Sequence, residues 1–297
     1  MITLDFLINA LSLGSTYALL ALGMVIVYGI LNLVNFAYGE LIMIAGYSLF
    51  VLSLGPSLPW IVMAILSVGV AVLTSYLTER VAFRPVRQSS PTAMLITSFA
   101  VSTLLQNAAL LIISPRARGV PLARLFSESL QVLGATIPLR NLLAIGTSVV
   151  LLALLVVLLR TTVLGIALRA ASDNFRMTRM LGVPANLVIS AAFAISGLLA
   201  GVVGMFWVGR TASVTPTIGA APLLVAFVAT VIGGMRSLEG AVVGGYVYGI
   251  LFSFIGVLLP QGLLEFREAF MFIIVILILL LRPEGLIRGA YSTRRIG

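Results

Sequence analysis

The sequence contains no cysteine, no histidine and no lysine, and all 18 of its basic residues are arginine. Without cysteine there is no disulfide, thiolate metal site or cysteine nucleophile. Without histidine the commonest general base and metal ligand is missing. A Walker A loop needs Gly-Lys-Ser/Thr, so this chain has no such loop with which to hydrolyse ATP. Charge is scarce as well: 9% of 297 residues, against 61% hydrophobic, with a mean hydropathy of +1.19. A soluble domain carries about 25% charge. So few polar groups cannot cover a globular surface, and lipid is the solvent that removes the need. No polar block is long enough to fold alone, so residues 1–297 read as one transmembrane domain.

Apolar runs dominate what is there. A spanning helix needs about 20 mostly apolar residues. Candidates cover residues 6–28, 36–52, 60–77, 93–113, 142–159, 187–208 and 269–281. A longer run, 223–259, is interrupted by Gly233, Gly234, Arg236, Glu239 and Gly240, and splits in two. The fold class is therefore all-α integral membrane, a bundle of about eight helices, eight or nine. The N-terminus has Asp5 and no basic residue before its apolar run, unlike a cleaved signal peptide.

The net charge of +9 raises the question of nucleic acid. The arginines, however, sit in short segments between apolar runs, as the positive-inside bias predicts, and nucleic acid is not expected as a partner. Arg80, Arg84 and Arg87 form one cluster, and Arg160, Arg169, Arg176 and Arg179 a second. Arg282, Arg288, Arg294 and Arg295 form a third. They share one side if the N-terminus is outside and the C-terminus cytoplasmic. The loop 114–141, with Arg116, Arg118, Arg124 and Arg140, opposes this assignment and is outweighed. Gly197, Gly201 and Gly204, and again Gly240, Gly244, Gly245 and Gly249, mark helices that approach closely.

Four segments break the apolar pattern. Residues 29–40, GILNLVNFAYGE, place Asn35, Tyr38, Gly39 and Glu40 where a span should continue. They read either as a short cytoplasmic turn before a capped helix or as a broken helix beside a substrate path. Residues 164–186 hold a polar stretch in which Ser172 or Asp173 caps a helix running to Leu181, ended by Gly182 and Pro184. Such an amphipathic helix docks into a partner's groove or lies on lipid headgroups. In residues 232–245, Arg236 and Glu239 are spaced to pair on a helix, or belong to a glycine-rich turn. The segment 282–286, Arg-Pro-Glu-Gly-Leu, ends the last helix.

Several stretches in order resemble the permease subunits of branched-chain amino-acid ABC importers: 14–23 (GSTYALLALG), 28–40 (YGILNLVNFAYGE), 169–182, 192–204 (AFAISGLLAGVVG), 233–245 and 281–286. The resemblance implies a heteromeric importer of two related permeases, two ATPase subunits and a periplasmic substrate-binding protein, in a bacterial inner membrane. It implies no cofactor in this chain, with ATP and Mg bound by the ATPase subunits, and no catalytic or metal residue here. The cytoplasmic coupling segment, about 161–186, would contact the ATPase through Arg169, Asp173, Asn174, Arg176, Arg179 and Gly182. The substrate pathway would involve Asn35, Tyr38, Gly39 and Glu40. Two departures stand out: Arg169 precedes Ala170-Ala171 where many importers have Glu-Ala-Ala, and Tyr38 stands where the family commonly has histidine. The alternative is a secondary transporter or channel working without an ATPase. An intramembrane enzyme is disfavoured, because no carboxylates show paired spacing within a span.

Overall fold

The computed structural model describes residues 4–55, 58–87, 89–120, 129–132, 135–283 and 285–287. Arg124, Glu284, Arg288, Arg294, Arg295 and the side chains of Asp173 and Arg176 lie outside the described residues. The protein is an all-α membrane bundle. Its helices are α1 (Leu4–Leu31), α2 (Tyr38–Ser53), α3 (Trp60–Thr78), α4 (Pro91–Ile112), α5 (Leu139–Thr161), α6 (Val163–Met180), α7 (Ala185–Thr211), α8 (Ala220–Gly233), α9 (Leu238–Leu258) and α10 (Arg267–Leu281). α3 continues through a π-helical turn, Glu79–Phe83, to Val86. Six of these helices are long and apolar enough to cross a membrane. α2 and α8 are shorter, at 16 and 14 residues.

Each break follows from local chemistry. Pro91 sits in the first turn of α4, where its missing N–H costs nothing, and Ser90 Oγ accepts from Ala93 N at 3.2 Å. Gly234, with φ 112°, closes α8, and Ser237 caps α9 by accepting from Gly240 N. The expected split of the long apolar run therefore falls between Gly233 and Leu238. Arg236 and Glu239 do not pair: Arg236 precedes the helix and instead donates to Asn32 Oδ1 at 3.3 Å.

α1 is enclosed along nearly all its length, whereas α4 lies almost wholly at the rim. Rim side chains such as Leu111, Ile112 and Leu154 are apolar and exposed, as lipid contact requires. In lipid, close van der Waals packing holds helices together. The glycines expected to pack do so: Gly245 and Gly249 lie on α1 at Ala18 and Gly14, and Gly197 and Gly201 lie on α3.

The chain traces the same course twice. α1 ends at Asn32 and α7 at Ala212, the two non-glycine residues with positive φ among those described, both at 52°. Asn32 N donates to Tyr28 O at 2.7 Å, and Ala212 N to Val208 O at 2.8 Å. Tyr38 N donates to Asn35 O, and Ile218 N to Thr215 O; Glu40 N donates to Ala37 O, and Ala220 N to Thr217 O. One constant offset relates every pair, and it also superposes α1 on α7, α2 on α8, and the end of α3 at Thr78 on the end of α9 at Leu258. α1 packs chiefly on α9 and α7 chiefly on α3, the exchange a two-fold axis requires. The end of α1 and the start of α7 border one cavity, so the two helices run in opposite directions. This is an inverted repeat with its axis in the membrane plane, an architecture widespread among transporters.

The repeat has a consequence for depth. After α1, residues 32–37 turn back into the bundle, and α2 starts inside it. After α7, residues 212–219 do the same from the opposite end. The two helix starts meet where Gly39 and Gly219 each lie against the other's carbonyl, leaving no room for a Cβ on either. Small two-stranded pairings cover the second junction: Arg118–Gly119 pairs antiparallel with Ser213–Val214, and Val120 N donates to Ala212 O.

Candidate functional site

The first junction gathers the residues expected along a substrate path. Asn35 Oδ1 accepts from Ala37 N at 3.0 Å and so shapes the turn. Tyr38 is 1% exposed, with its ring against Gly23 of α1. Glu40 is 2% exposed and reaches across to α4, where its Oε1 accepts from Ser102 Oγ at 2.9 Å and from Gln106 Nε2 at 2.7 Å. Both partners lie in the second half of a spanning helix, so Glu40 sits deep in the bundle. An unpaired carboxylate there would be very costly, and two donors offset part of that cost. Phe36 stacks on Phe99 of α4 at 4.1 Å beside this cluster. The segment is thus a broken-helix junction rather than a surface turn. Ser102 and Gln106 were not anticipated. With Ser98 they repeat every four residues on α4, a polar stripe visible in the sequence once a partner is sought.

The segment expected to couple to an ATPase forms α6. Thr162 caps it, accepting from Gly165 N at 3.0 Å. The helix is interrupted at Asn174, with φ −152° and ψ 91°, and Asn174 Oδ1 accepts from Met177 N at 3.0 Å. The expected cap therefore lies at Asn174 rather than at Ser172 or Asp173, because the asparagine side chain replaces a backbone acceptor lost at the kink. Gly182, with φ 84°, stops the segment where expected. Arg169, Asn174, Arg179 and Gly182 are exposed. Phe175 turns inward against the core, while Met177, Met180 and Leu181 are 56%, 69% and 79% exposed. This amphipathic second half presents both apolar and cationic groups outward.

Next to α6 lies a cavity of about 900 Å³ bordered by Asn32, Arg87, Phe175, Arg179 and Asn186. Arg87 donates to Asn186, and Ser190 Oγ donates to the buried Glu79 Oε2 at 2.7 Å. These two bonds tie the end of α3 to the start of α7, and within that end Arg87 and Glu79 approach to 4.0 Å. Arg169 and Arg236 border a second, smaller recess with Gly29. The ends of α1 and α3, the α8–α9 turn and α6 therefore share one end of the molecule, and the Arg84, Arg87, Arg169, Arg179 and Arg236 clusters with them. Leu286 N and Ile287 N donate to Ile232 O and Gly233 O, which ties the segment after α10 to the same end.

A family model described as branched-chain amino acid transport system / permease component matches residues 6–281. The chain belongs to this permease family. The high-affinity branched-chain amino acid transport system permease protein BraD of Pseudomonas aeruginosa is 32% identical over 96% of this chain and 95% of its own length. The corresponding permease protein LivH of Escherichia coli (strain K12) is 33% identical over the same shares. A probable branched-chain amino acid transport permease protein LivH from Methanocaldococcus jannaschii is 30% identical over 94% of this chain and 90% of its own. No solved structure matches the chain. The permease is a transporter component rather than an enzyme, and such a component works with partner subunits.

Proposed function

We propose that this permease is the membrane subunit of an ATP-driven importer that carries branched-chain or related hydrophobic amino acids into the cytoplasm. In this reading two copies, or this chain and a related permease, join two ATPase subunits that bind ATP and Mg, and a periplasmic binding protein delivers substrate. The carrying observation is α6: a kinked amphipathic helix with exposed Met177, Met180 and Leu181 among arginines, on a chain with no Walker A loop. Exposed apolar anchors on a helix suit a groove in a partner. The gathering of arginines at the α6 end supports placing that end in the cytoplasm of a bacterial inner membrane, with the N-terminus outside. Transport then requires the closed Gly39–Gly219 junction to part when the ATPases pull on α6, with Asn35, Tyr38 and Glu40 exposed to the path in that state. A ligand shifts such an equilibrium only through differential contacts in the two states.

Gentle purification of the tagged permease from its native membrane, with mass spectrometry of the companions, tests this. Two ATPase subunits in fixed ratio to two permeases are expected, and Met180→Asp with Leu181→Asp should release them. A lone permease that still transports amino acid after reconstitution would replace the importer by a secondary carrier.

A further inference from the structure

At the end of the molecule opposite α6 lies a cavity of about 390 Å³. Small-molecule sites occupy about 300–1,000 Å³, so its size fits a ligand of modest dimensions. Its floor is aromatic. Tyr17 of α1 meets Tyr248 of α9 edge-on at 5.4 Å, and Tyr248 stacks on Phe252 at 6.1 Å. Trp207 of α7 forms a further wall, 6.4 Å from Tyr17. Arg267 holds Phe252 in place: its guanidinium lies 3.6 Å over the ring, and its Nε donates to Phe252 O at 2.8 Å.

Two opposite charges border the same cavity, Arg210 at the end of α7 and Glu268 at the start of α10. Neither hydrogen-bonds nor ion-pairs with another described residue. The first turn of α8, at Ala220 and Ala221, completes the rim. In that turn Ala220 N already donates to Thr217 O and Pro222 has no N–H, which leaves Ala221 N as the early donor for an anion. Arg210 and Glu268 are both exposed, at the ends of their helices. The equivalent positions in the first repeat are Val27, Ile30, Val68 and Val72, in place of Trp207, Arg210, Tyr248 and Phe252. The duplicated backbone therefore does not explain this chemistry, which the first half lacks at the equivalent positions.

The geometry points to a binding site for a zwitterionic amino acid with an apolar side chain, held by this permease itself on the side where substrate enters. The α-carboxylate is met by Arg210 and the first turn of α8, the α-ammonium by Glu268, and the side chain by Tyr17, Trp207, Tyr248 and Phe252. A simple carboxylate or a simple amine satisfies only one of the two charges. Aromatic faces accept the aliphatic chain and also attract the ammonium. This inference rests on the importer reading above but adds a requirement to it: selection of substrate in the membrane subunit, beyond any selection by a delivery protein.

The test uses the assembled transporter, purified with the subunits that accompany it, without nucleotide and without the periplasmic protein. Equilibrium binding of tritiated leucine is measured, with valine, 4-methylpentanoate and 3-methylbutylamine as competitors. Saturable binding is expected, displaced by valine and about tenfold or more less well by the two singly charged analogues, as loss of one charge-assisted contact predicts. Arg210→Gln and Glu268→Gln should each weaken leucine binding about tenfold. Arg210→Gln should also abolish the preference for leucine over the amine, and Arg210→Lys should restore part of it. Absence of leucine binding, or binding that both variants leave unchanged, overturns the proposal. ATP-driven leucine uptake by the same preparation with the delivery protein separates the two readings. Uptake with no such site removes only this inference. No ATP-dependent uptake of any branched-chain amino acid removes the importer reading.

Discussion

The two re-entrant junctions share a backbone and differ in almost everything attached to it. Residues 32–40 and 212–220 repeat the same left-handed residue and the same turn hydrogen bonds. In the first, the chain supplies its own polar groups: Asn32 accepts from Arg236, Asn35 caps the turn, and Glu40 is sealed by Ser102 and Gln106. In the second, Ala212 and Ala220 stand where Asn32 and Glu40 stand in the first, and the junction opens on a cavity whose charges come from neighbouring helices. A duplicated scaffold fixes where helices break. The side chains decide which break is filled and which is left open for a ligand.

The comparison is broken most severely where the halves touch. Gly39→Val and Gly219→Val each force a side chain into the opposite carbonyl, so both should cost about 3 kcal/mol or more and prevent recovery of folded protein in detergent. Similar damage from both is the signature of the two-fold contact. Damage from only one would show that the halves do not meet there. Gly262→Ala, with open space around it, serves as the neutral control.

A smaller loss is expected at Glu40. Glu40→Ala leaves Ser102 and Gln106 without their buried acceptor and should destabilise by about 1–3 kcal/mol, seen as a lower Tm of the solubilised permease. Glu40→Gln keeps an acceptor and should lose less. Ala220→Glu, at the equivalent exposed position, should change stability little, since water or the cavity solvates it. An equal loss at both positions would mean that the two junctions are sealed alike.

The smallest effects concern the left-handed residues. A left-handed alanine costs about 1–2 kcal/mol, while glycine adopts that conformation freely at some entropic cost. Ala212→Gly should therefore raise Tm slightly, and Asn32→Ala should lower Tm through a loss of about 1 kcal/mol of stability, since asparagine tolerates the conformation and receives the Arg236 bond. Opposite signs at the two sites sharpen the contrast between them. Equal signs would point to a shared constraint other than φ.

Much of this fold was legible in residue order. The spans at 6–28, 60–77 and 93–113 lie within or close to α1, α3 and α4, because twenty apolar residues with no charge have few alternatives to crossing lipid. Gly182 and Gly234 marked helix ends because only glycine takes a positive φ cheaply. The cap of the second half of α6 was misplaced by a residue or two, since Ser172, Asp173 and Asn174 all have capping side chains and only the position of the kink distinguishes them. The inverted repeat was hidden: of the nine paired junction residues only Val34 with Val214 and Gly39 with Gly219 are identical, while Asn35 corresponds to Thr215 and Tyr38 to Ile218.

By itself, then, the sequence determined the solvent, the absence of ATP-hydrolysing and metal chemistry based on lysine, histidine or cysteine, the approximate spans and the polar breaks between them. These follow from composition and short-range pattern, because hydropathy, φ preference and missing side-chain types act locally. Only the tertiary structure decided that Glu40 meets Gln106, that Gly39 meets Gly219, and that Tyr17, Arg210, Tyr248 and Glu268 border one cavity. Those pairings depend on which helix faces which. In a chain where nearly every helix is apolar all round, periodicity carries little record of that choice, and close packing around glycines settles it.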